Sequence, residues 1–260
     1  MKLPAKIIRD LQSRFGYLLE AKYAVQRFVR KLRKAPFEFE FEILKYLNPN
    51  GRSAVDVGAN RGQSIDSVRL YHKKAQIFSF EPNEGLFDKL VARFKNDKNL
   101  TLHNMGLGKD ELSAELFVPY YRKFMYDGLA SFSEDRATSW LNAETVWKFN
   151  PKLLNVERQT CRIDVLDKFS LTPFFLKVHV QGFELEVLQG GKETIRTHRP
   201  VILIAKNEAA DHWLRGEGWR GFAFINNKLV ETSDEVENLY NCLYFNPLSK
   251  EHSQIIKGLS

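Results

Sequence analysis

The stretch Val55-Asp56-Val57-Gly58-Ala59-Asn60-Arg61-Gly62-Gln63 decides the fold. An apolar run closes in Asp-x-Gly-x-x-x-Gly and passes into residues that can open a helix. A buried strand that ends in a glycine turn and leads into a helix is how α/β folds hold nucleotide-like ligands. Gly58 can take positive φ at no steric cost. The helix that follows presents unpaired N–H groups. The plain alternative is an ordinary strand–turn–helix junction.

Asp56 separates two ligand classes. A dinucleotide turn is free of acid, so that a pyrophosphate can sit on the helix N-terminus. Here an acid stands where a phosphate would be repelled. The turn suits a ligand with a cationic or hydroxyl-bearing part, such as the amino-acid end of S-adenosylmethionine. Glu81 ends the next apolar run, 76–80, about 20 residues past the turn. In doubly wound folds that position puts a carboxylate on ribose hydroxyls. Pro82 pins φ in the turn after it. Asp56 with Glu81 points to a nucleoside with free ribose hydroxyls, against two solvated strand-end acids.

Around this pair the pattern predicts strands at 52–57, 76–80, 100–105, 112–119, 158–165, 174–180, 201–205, 222–225 and 239–245. Helices fall between them at 64–72, 84–95, 183–196 and 211–215. Alternation of strands with helices implies a mainly parallel sheet with right-handed crossovers. The strand at 112–119 reads as the return of a hairpin through the 108–111 turn. Residues 37–47 alternate like a strand, and their second half also fits a helix. Residues 120–157 lack strong periodicity and are rich in aromatics, which fits either a lid and substrate platform or a small packed subdomain. Residues 248–260 read as a polar tail. The division expected is 1–48 (basic helical segment), 49–247 (catalytic domain) and the tail.

The net charge of +7 is uneven. Residues 1–35 hold ten Lys/Arg against Asp10 and Glu20, which is +8 and leaves −1 for the remainder. The high pI therefore does not argue for nucleic-acid binding by the body of the protein. Within 5–34, Ile8, Leu11, Phe15, Leu18, Val25, Val29 and Leu32 recur at helical steps, with Gly16 as a point of kinking. This is a basic amphipathic helix that lies on an anionic membrane surface or docks a partner, or one that packs its stripe on its own domain. No apolar run reaches the roughly 20 residues of a membrane span. Cys161 and Cys242 have no paired spacing and read as buried thiols, with no zinc site or other metal centre expected. The expected location is cytoplasmic, with the inner face of the membrane as a peripheral site.

A third constellation is Lys177-Val178-His179-Val180-Gln181-Gly182-Phe183-Glu184. Strand alternation would put Lys177, His179 and Gln181 on one side, at the C-terminal end of a central strand. His179 titrates near neutrality when unperturbed and can take a proton from a hydroxyl; the alternative is a hydrogen-bonded structural histidine.

The order Asp-Val-Gly-Ala-Asn-x-Gly-Gln, Phe-Glu-Pro-Asn, Asn104-x-x-Leu-Gly-x-x-Glu, Leu-Lys-Val-His-Val-Gln-Gly-Phe-Glu-Leu-Glu-Val-Leu-Gln-Gly-Gly and Arg-Pro-Val-Ile-Leu-Ile resembles the FkbM-type methyltransferases over roughly 50–246. The resemblance implies a Rossmann-like class I fold, with a mainly parallel seven-stranded sheet and an antiparallel closing strand. It implies S-adenosylmethionine-dependent O-methylation of a hydroxyl on a glycan or a related small-molecule or lipid-linked acceptor. Carried over by motif, Asp56, Gly58, Asn60, Gly62 and Gln63 form the cofactor loop and Glu81 holds the ribose. Pro82 and Asn83 shape the adenosine pocket, with Asn104 and Met105 near the adenine. Where the family reads Lys-x-Asp-x-Glu-Gly, this chain has Lys177, His179 and Gln181, and Ala205 stands where the family often has Glu. The expected catalytic set is His179 as base or orienter, with Lys177 and Gln181 positioning the acceptor. The replaced acids also admit a cofactor-binding protein without turnover. A nucleic-acid methyltransferase is disfavoured, because Asn207-Glu208-Ala209-Ala210 lacks the Asn/Asp-Pro-Pro-Tyr type of base-methylating motif.

Overall fold

The computed structural model describes residues 3–232 and 240–260, the side chains of 16–20 excepted. Leu239 and the side chains of Leu18 and Glu20, used in the reading above, lie outside what is described. The single helix expected over 5–34 is two helices, α1 (Leu3–Arg14) and α2 (Gly16–Arg33). The break falls at Phe15, whose φ of −128° and ψ of 77° are not helical, next to a glycine that disfavours a helix interior. α2 stops at Lys34, which takes a left-handed φ of 49° just before Pro36. Residues 37–47 resolve into a 3-10 helix, Phe39–Tyr46, that buries Phe41, Ile43 and Leu44.

Next come β1 (Ser53–Val57), α3 (Gln63–Tyr71), β2 (Ile77–Phe80), α4 (Glu84–Phe94), β3 (Leu100–His103) and β4 (Gly106–Leu107). They are followed by β5 (Leu112–Tyr121), β6 (Phe124–Met125), α5 (Glu134–Ser139) and β7 (Leu154–Asp164). The chain closes with β8 (Pro173–Val178), α6 (Glu184–Gly190), α7 (Lys192–His198), β9 (Val201–Ala205), α8 (Glu208–Gly216), β10 (Arg220–Ile225), β11 (Lys228–Glu231), β12 (Asn241–Phe245) and α9 (Lys250–Leu259). Side-chain caps fix several starts: Asn83 accepts from the Leu86 N–H before α4, and Asn207 from the Ala210 N–H before α8.

The chain divides into two compact units, one of Met1–Ala35 with Ser113–Cys161, the other of Pro36–Leu112 with Arg162–Ser260. The second unit holds an eight-stranded sheet in the order β11-β10-β12-β9-β8-β1-β2-β3. β9, β8, β1, β2 and β3 run parallel. β12 enters antiparallel to β9, as the closing strand should. The strand beyond the expected seven is β11, which folds back on β10 through Asn226 and Asn227. Both asparagines have positive φ, the geometry of a two-residue hairpin turn. One face of the sheet buries Phe41, Ile65, Leu203 and Leu243; the other buries Val55, Leu176, Val187 and Ile204. The strand order reverses at β1, with β2 on one side and β8 on the other, so a crevice opens above their C-terminal ends.

Three expectations are corrected in this unit. The 174–180 strand ends at Val178, because Gln181 and Gly182 both turn to positive φ. The 183–196 helix breaks at Gly191 into α6 and α7. Residues 248–260 are no tail: α9 is capped by Ser249 and buries His252, Ile255 and Ile256.

The first unit pairs α1 with the aromatic insertion. Tyr121, Leu141 and Val146 form its core, with Tyr126, Trp140 and Phe149 packed against them. Lys6 accepts from the Trp147 N–H through its carbonyl (3.2 Å) and donates through Nζ to the Ala143 carbonyl (3.1 Å). The Arg9 guanidinium sits 4.7 Å from the Trp140 ring, and the Asp10 carboxylate accepts from Arg14 and Arg122. Residues of the 120–157 stretch are therefore packed around a core of their own. β5 is not the return strand of a hairpin with β3: it pairs with β6 in a separate sheet ordered β4-β7-β5-β6.

Candidate active site

The glycine turn is held from below by β8. Asp56 lies in register with Ser79 of β2 and Lys177 of β8, so all three side chains rise on one face of the sheet. The Asp56 carboxylate accepts from Ser64 Oγ (2.5 Å) and Ser79 Oγ (3.1 Å). Its other oxygen lies 3.0 Å from Lys177 Nζ. That ammonium also donates to the carbonyls of Val57 (3.1 Å) and Gly58 (2.5 Å). Asp56 and Lys177 are both buried, and their charges compensate one another in a place where either alone would be costly. Lys177 is therefore a clamp on the turn.

Gly58 has φ +80° and touches the end of β8: a Cβ there would lie 2.1 Å from the His179 carbonyl oxygen. Gly62, at φ +81°, would meet the Phe94 ring of α4 at 2.6 Å. Asn60 takes φ +49° between them, a conformation that asparagine tolerates. Gln63 opens α3 and accepts from the Arg61 N–H. Two of the loop's glycines are thus demanded by packing as well as by any ligand.

Glu81 stands just past β2 and is buried. Its two carboxylate oxygens accept from the backbone N–H of Asn60 (2.6 Å) and of Asn83 (3.0 Å). Burial raises its pKa to about 7, against those N–H bonds and the positive charge of Lys177, which pull it down. Pro82 is half-buried, and Asn83 is consumed as the cap of α4. Asn104 donates to the carbonyls of Glu81 (3.0 Å) and Pro82 (3.4 Å), so it braces this turn. Met105, next to it, packs against the core.

His179 and Gln181 do come together. Gln181 Nε2 lies 3.2 Å from His179 Nε2, and the Tyr240 ring meets the imidazole edge-on at 5.6 Å. Burial first, then Lys177, depresses the His179 pKa to about 4. The ring is neutral at physiological pH, a good hydrogen-bond acceptor and a weak base.

Three groups escaped sequence reasoning. Glu184 is buried; its Oε1 accepts from the N–H groups of Val180 and Gly182 (3.1 Å each), and its Oε2 from Asn207 Nδ2 (2.8 Å). It fixes the loop that carries His179 and Gln181. Asn241 opens β12 directly opposite Ala205, so it supplies polarity beside the position that lost it. Its side chain hydrogen-bonds Glu38, whose pKa is raised by burial and lowered by Lys177. Glu38 thus brings a carboxylate to the same end of the sheet from the segment before β1. Glu184 had a signal, an acid two residues past a glycine at a helix start; Glu38 and Asn241 had none, because each meets the site only through the fold.

The Methyltransferase FkbM domain pattern matches residues 56–240, most of the chain and every turn just described. The chain belongs to the FkbM methyltransferase family. The family is described as one of methyltransferases, and S-adenosylmethionine is the cofactor that the motif resemblance implies. Among solved structures it is similar to the methyltransferase FkbM of Methylobacillus flagellatus, at 17% identity and TM-score 0.46 over 75% of this chain and 43% of that one. It thus spans under half the length of that relative. It is also similar to a putative methyltransferase of Streptococcus mutans in complex with SAH (10% identity, TM-score 0.42, 81% and 97% covered). A third is a putative caffeoyl-CoA O-methyltransferase of Staphylococcus aureus (9%, TM-score 0.42, 91% and 100% covered). No curated relative matches the methyltransferase.

The residues fit such a cofactor. A carboxylate has about four acceptor positions, and Glu81 uses one on each oxygen, which leaves two for ribose hydroxyls. Asp56 does not meet a ligand's cation freely, since its charge is matched by Lys177.

Proposed function

We propose that this methyltransferase transfers a methyl group from S-adenosylmethionine to a hydroxyl of a glycan or a related small-molecule or lipid-linked acceptor. The observation that carries the reading is the buried Glu81 carboxylate, tied to the loop through the Asn60 N–H at 2.6 Å with acceptor capacity to spare. Bound there, the cofactor supplies an electrophilic methyl on a sulfonium whose positive charge is lost as the methyl moves. The chain's own residues then have two tasks: to align the acceptor oxygen and to take its proton. The neutral His179 accepts from the Gln181 amide through Nε2, so its Nδ1–H is left to donate to the acceptor oxygen and orient it. Glu38, with its raised pKa, is the stronger proton acceptor of the crevice.

The test has two parts. S-adenosylhomocysteine binding is measured by calorimetry, and tritiated-methyl transfer from S-adenosylmethionine is followed into a fractionated lysate. Glu81→Ala should weaken binding at least about tenfold, the loss of hydrogen bonds to a charged group. Affinity of the unmodified protein should fall about tenfold per pH unit below pH 7, where Glu81 protonates, and level off above it. Binding untouched by Glu81→Ala would remove the cofactor assignment. Label in a glycan or lipid fraction supports the acceptor class; label in protein or nucleic acid overturns it. The depressed His179 pKa favours a second reading, a cofactor-binding protein without turnover. Tight binding with no label in any fraction would establish that one.

A further inference from the structure

On α2 the apolar face is the one turned to solvent. Val25, Phe28, Val29 and Leu32 fall within about 100° of arc around the helix, and all four are exposed, Phe28 at 62% and Leu32 at 68%. Tyr23, Gln26, Arg27 and Arg30 occupy the more covered side. This inverts the amphipathicity of a helix packed on its own domain, which hides its apolar stripe. α1 adds Ile8, Leu11 and, just past its end, Phe15, all exposed. Exposed Lys22, Lys31, Arg33 and Lys34 flank the α2 stripe. The only described acid of residues 1–35, Asp10, is buried against Arg14 and Arg122, so it does not offset the basic surface. Among the described residues no helix is long and apolar enough to cross a membrane.

We propose that α1 and α2 form a docking surface for a bilayer that carries anionic lipid. The apolar side chains enter the boundary between headgroups and acyl chains, while the flanking lysines and arginines meet the lipid phosphates. Large apolar side chains at the centre with basic groups at the edges match this chemistry. A nucleic acid would engage the basic groups through its phosphates and leave Phe28 and Leu32 in water. A second copy of the chain would bring two strongly basic faces together. The surface does not depend on the chemistry of the crevice.

Co-sedimentation of the full chain with vesicles tests this. The protein should pellet with vesicles of phosphatidylcholine mixed with phosphatidylglycerol and stay in solution with phosphatidylcholine alone. Phe28→Ser/Leu32→Ser should abolish pelleting. Lys31→Gln/Arg33→Gln should weaken it roughly 25-fold, at roughly five-fold for each basic residue near the surface. Circular dichroism and thermal melts should be unchanged in both variants, since the four side chains are exposed. Failure of the unmodified protein to pellet with the mixed vesicles overturns the proposal, as does equal pelleting of Phe28→Ser/Leu32→Ser. A dimer in sedimentation velocity that Phe28→Ser/Leu32→Ser dissociates, without vesicle binding, assigns the face to a second copy and also overturns it. Vesicle binding that fails while methyl transfer proceeds leaves the enzyme reading intact.

Discussion

At the scale of single residues, the site divides into groups that hold the loop and groups that face the crevice. Lys177 and Asp56 belong to the first set. Each is buried and each is the other's counter-charge, which is why a lysine sits near the end of an apolar strand. Gly58 belongs there too, because His179, just past β8, comes so close that no Cβ fits. Glu38 belongs to the second set, and it leads to a prediction. Glu38→Gln should lower the initial rate of tritiated-methyl incorporation by about a hundredfold or more, the usual worth of a general base. Affinity for S-adenosylhomocysteine should hold. The pH profile should change as well: the rate of the unmodified enzyme falls as pH drops through the raised Glu38 pKa, and the variant should lose that limb. An unchanged rate and profile would leave His179 as the proton acceptor. Gly58, Gly62 and Glu81 were readable from the sequence because their chemistry is written in local spacing. Glu38 was not, since it precedes β1 and approaches Lys177 and Asn241 only once the sheet has formed.

At the scale of elements, helices and strands followed periodicity, and the departures have local causes. Phe15 and Gly191 each interrupt a helical pattern, and Asn226-Asn227 adds a strand by forming a tight turn. α9 was missed because its polar residues outnumber its apolar ones, yet Ile255 and Ile256 are buried. Burying two such side chains stabilises a fold by about 3–6 kcal/mol before entropy is counted. His252 on the same helix is buried beside Phe245, and its Nδ1 accepts from the Asn246 N–H at 2.9 Å. Burial depresses its pKa to about 4. A histidine whose folded pKa lies below its unfolded value destabilises the fold as acid is added. The unfolded chain begins to take the proton near pH 6.5, and the native chain does so only near pH 4. Stability should therefore fall across that window. At about 1.4 kcal/mol per pH unit, His252 accounts for about 3 kcal/mol. Urea unfolding at a series of pH values should show a shallower decline for His252→Gln than for the unmodified protein. Parallel slopes would mean that His252 is protonated in the native state well above pH 4.

At the scale of the whole molecule, the +8 of residues 1–35 belongs to a compact unit that also contains residues 113–161. Lys6, Arg9 and Asp10 tie α1 to Ala143, Thr145 and Arg122. Removing residues 1–35 would therefore leave Trp140 and Arg122 without these partners. Hydrogen exchange should show amides of 120–150 losing protection in such a truncation, with exchange near the intrinsic rate in the least protected turns. Retained protection there would mean that the insertion folds without α1. The sequence by itself determined the strand–turn–helix at Asp56 to Gln63, the carboxylate at Glu81, the alternation that makes a parallel sheet, and the motif order that marks the family. Those features are local, set by residue type and by spacing of at most a few tens of residues. Tertiary structure alone decided that Lys177 clamps the glycine turn, that Asn241 stands opposite Ala205 and meets Glu38, and that α2 turns its apolar side outward. Each depends on which distant segments burial brings together, and helical or strand periodicity carries no information about the partner an element will meet.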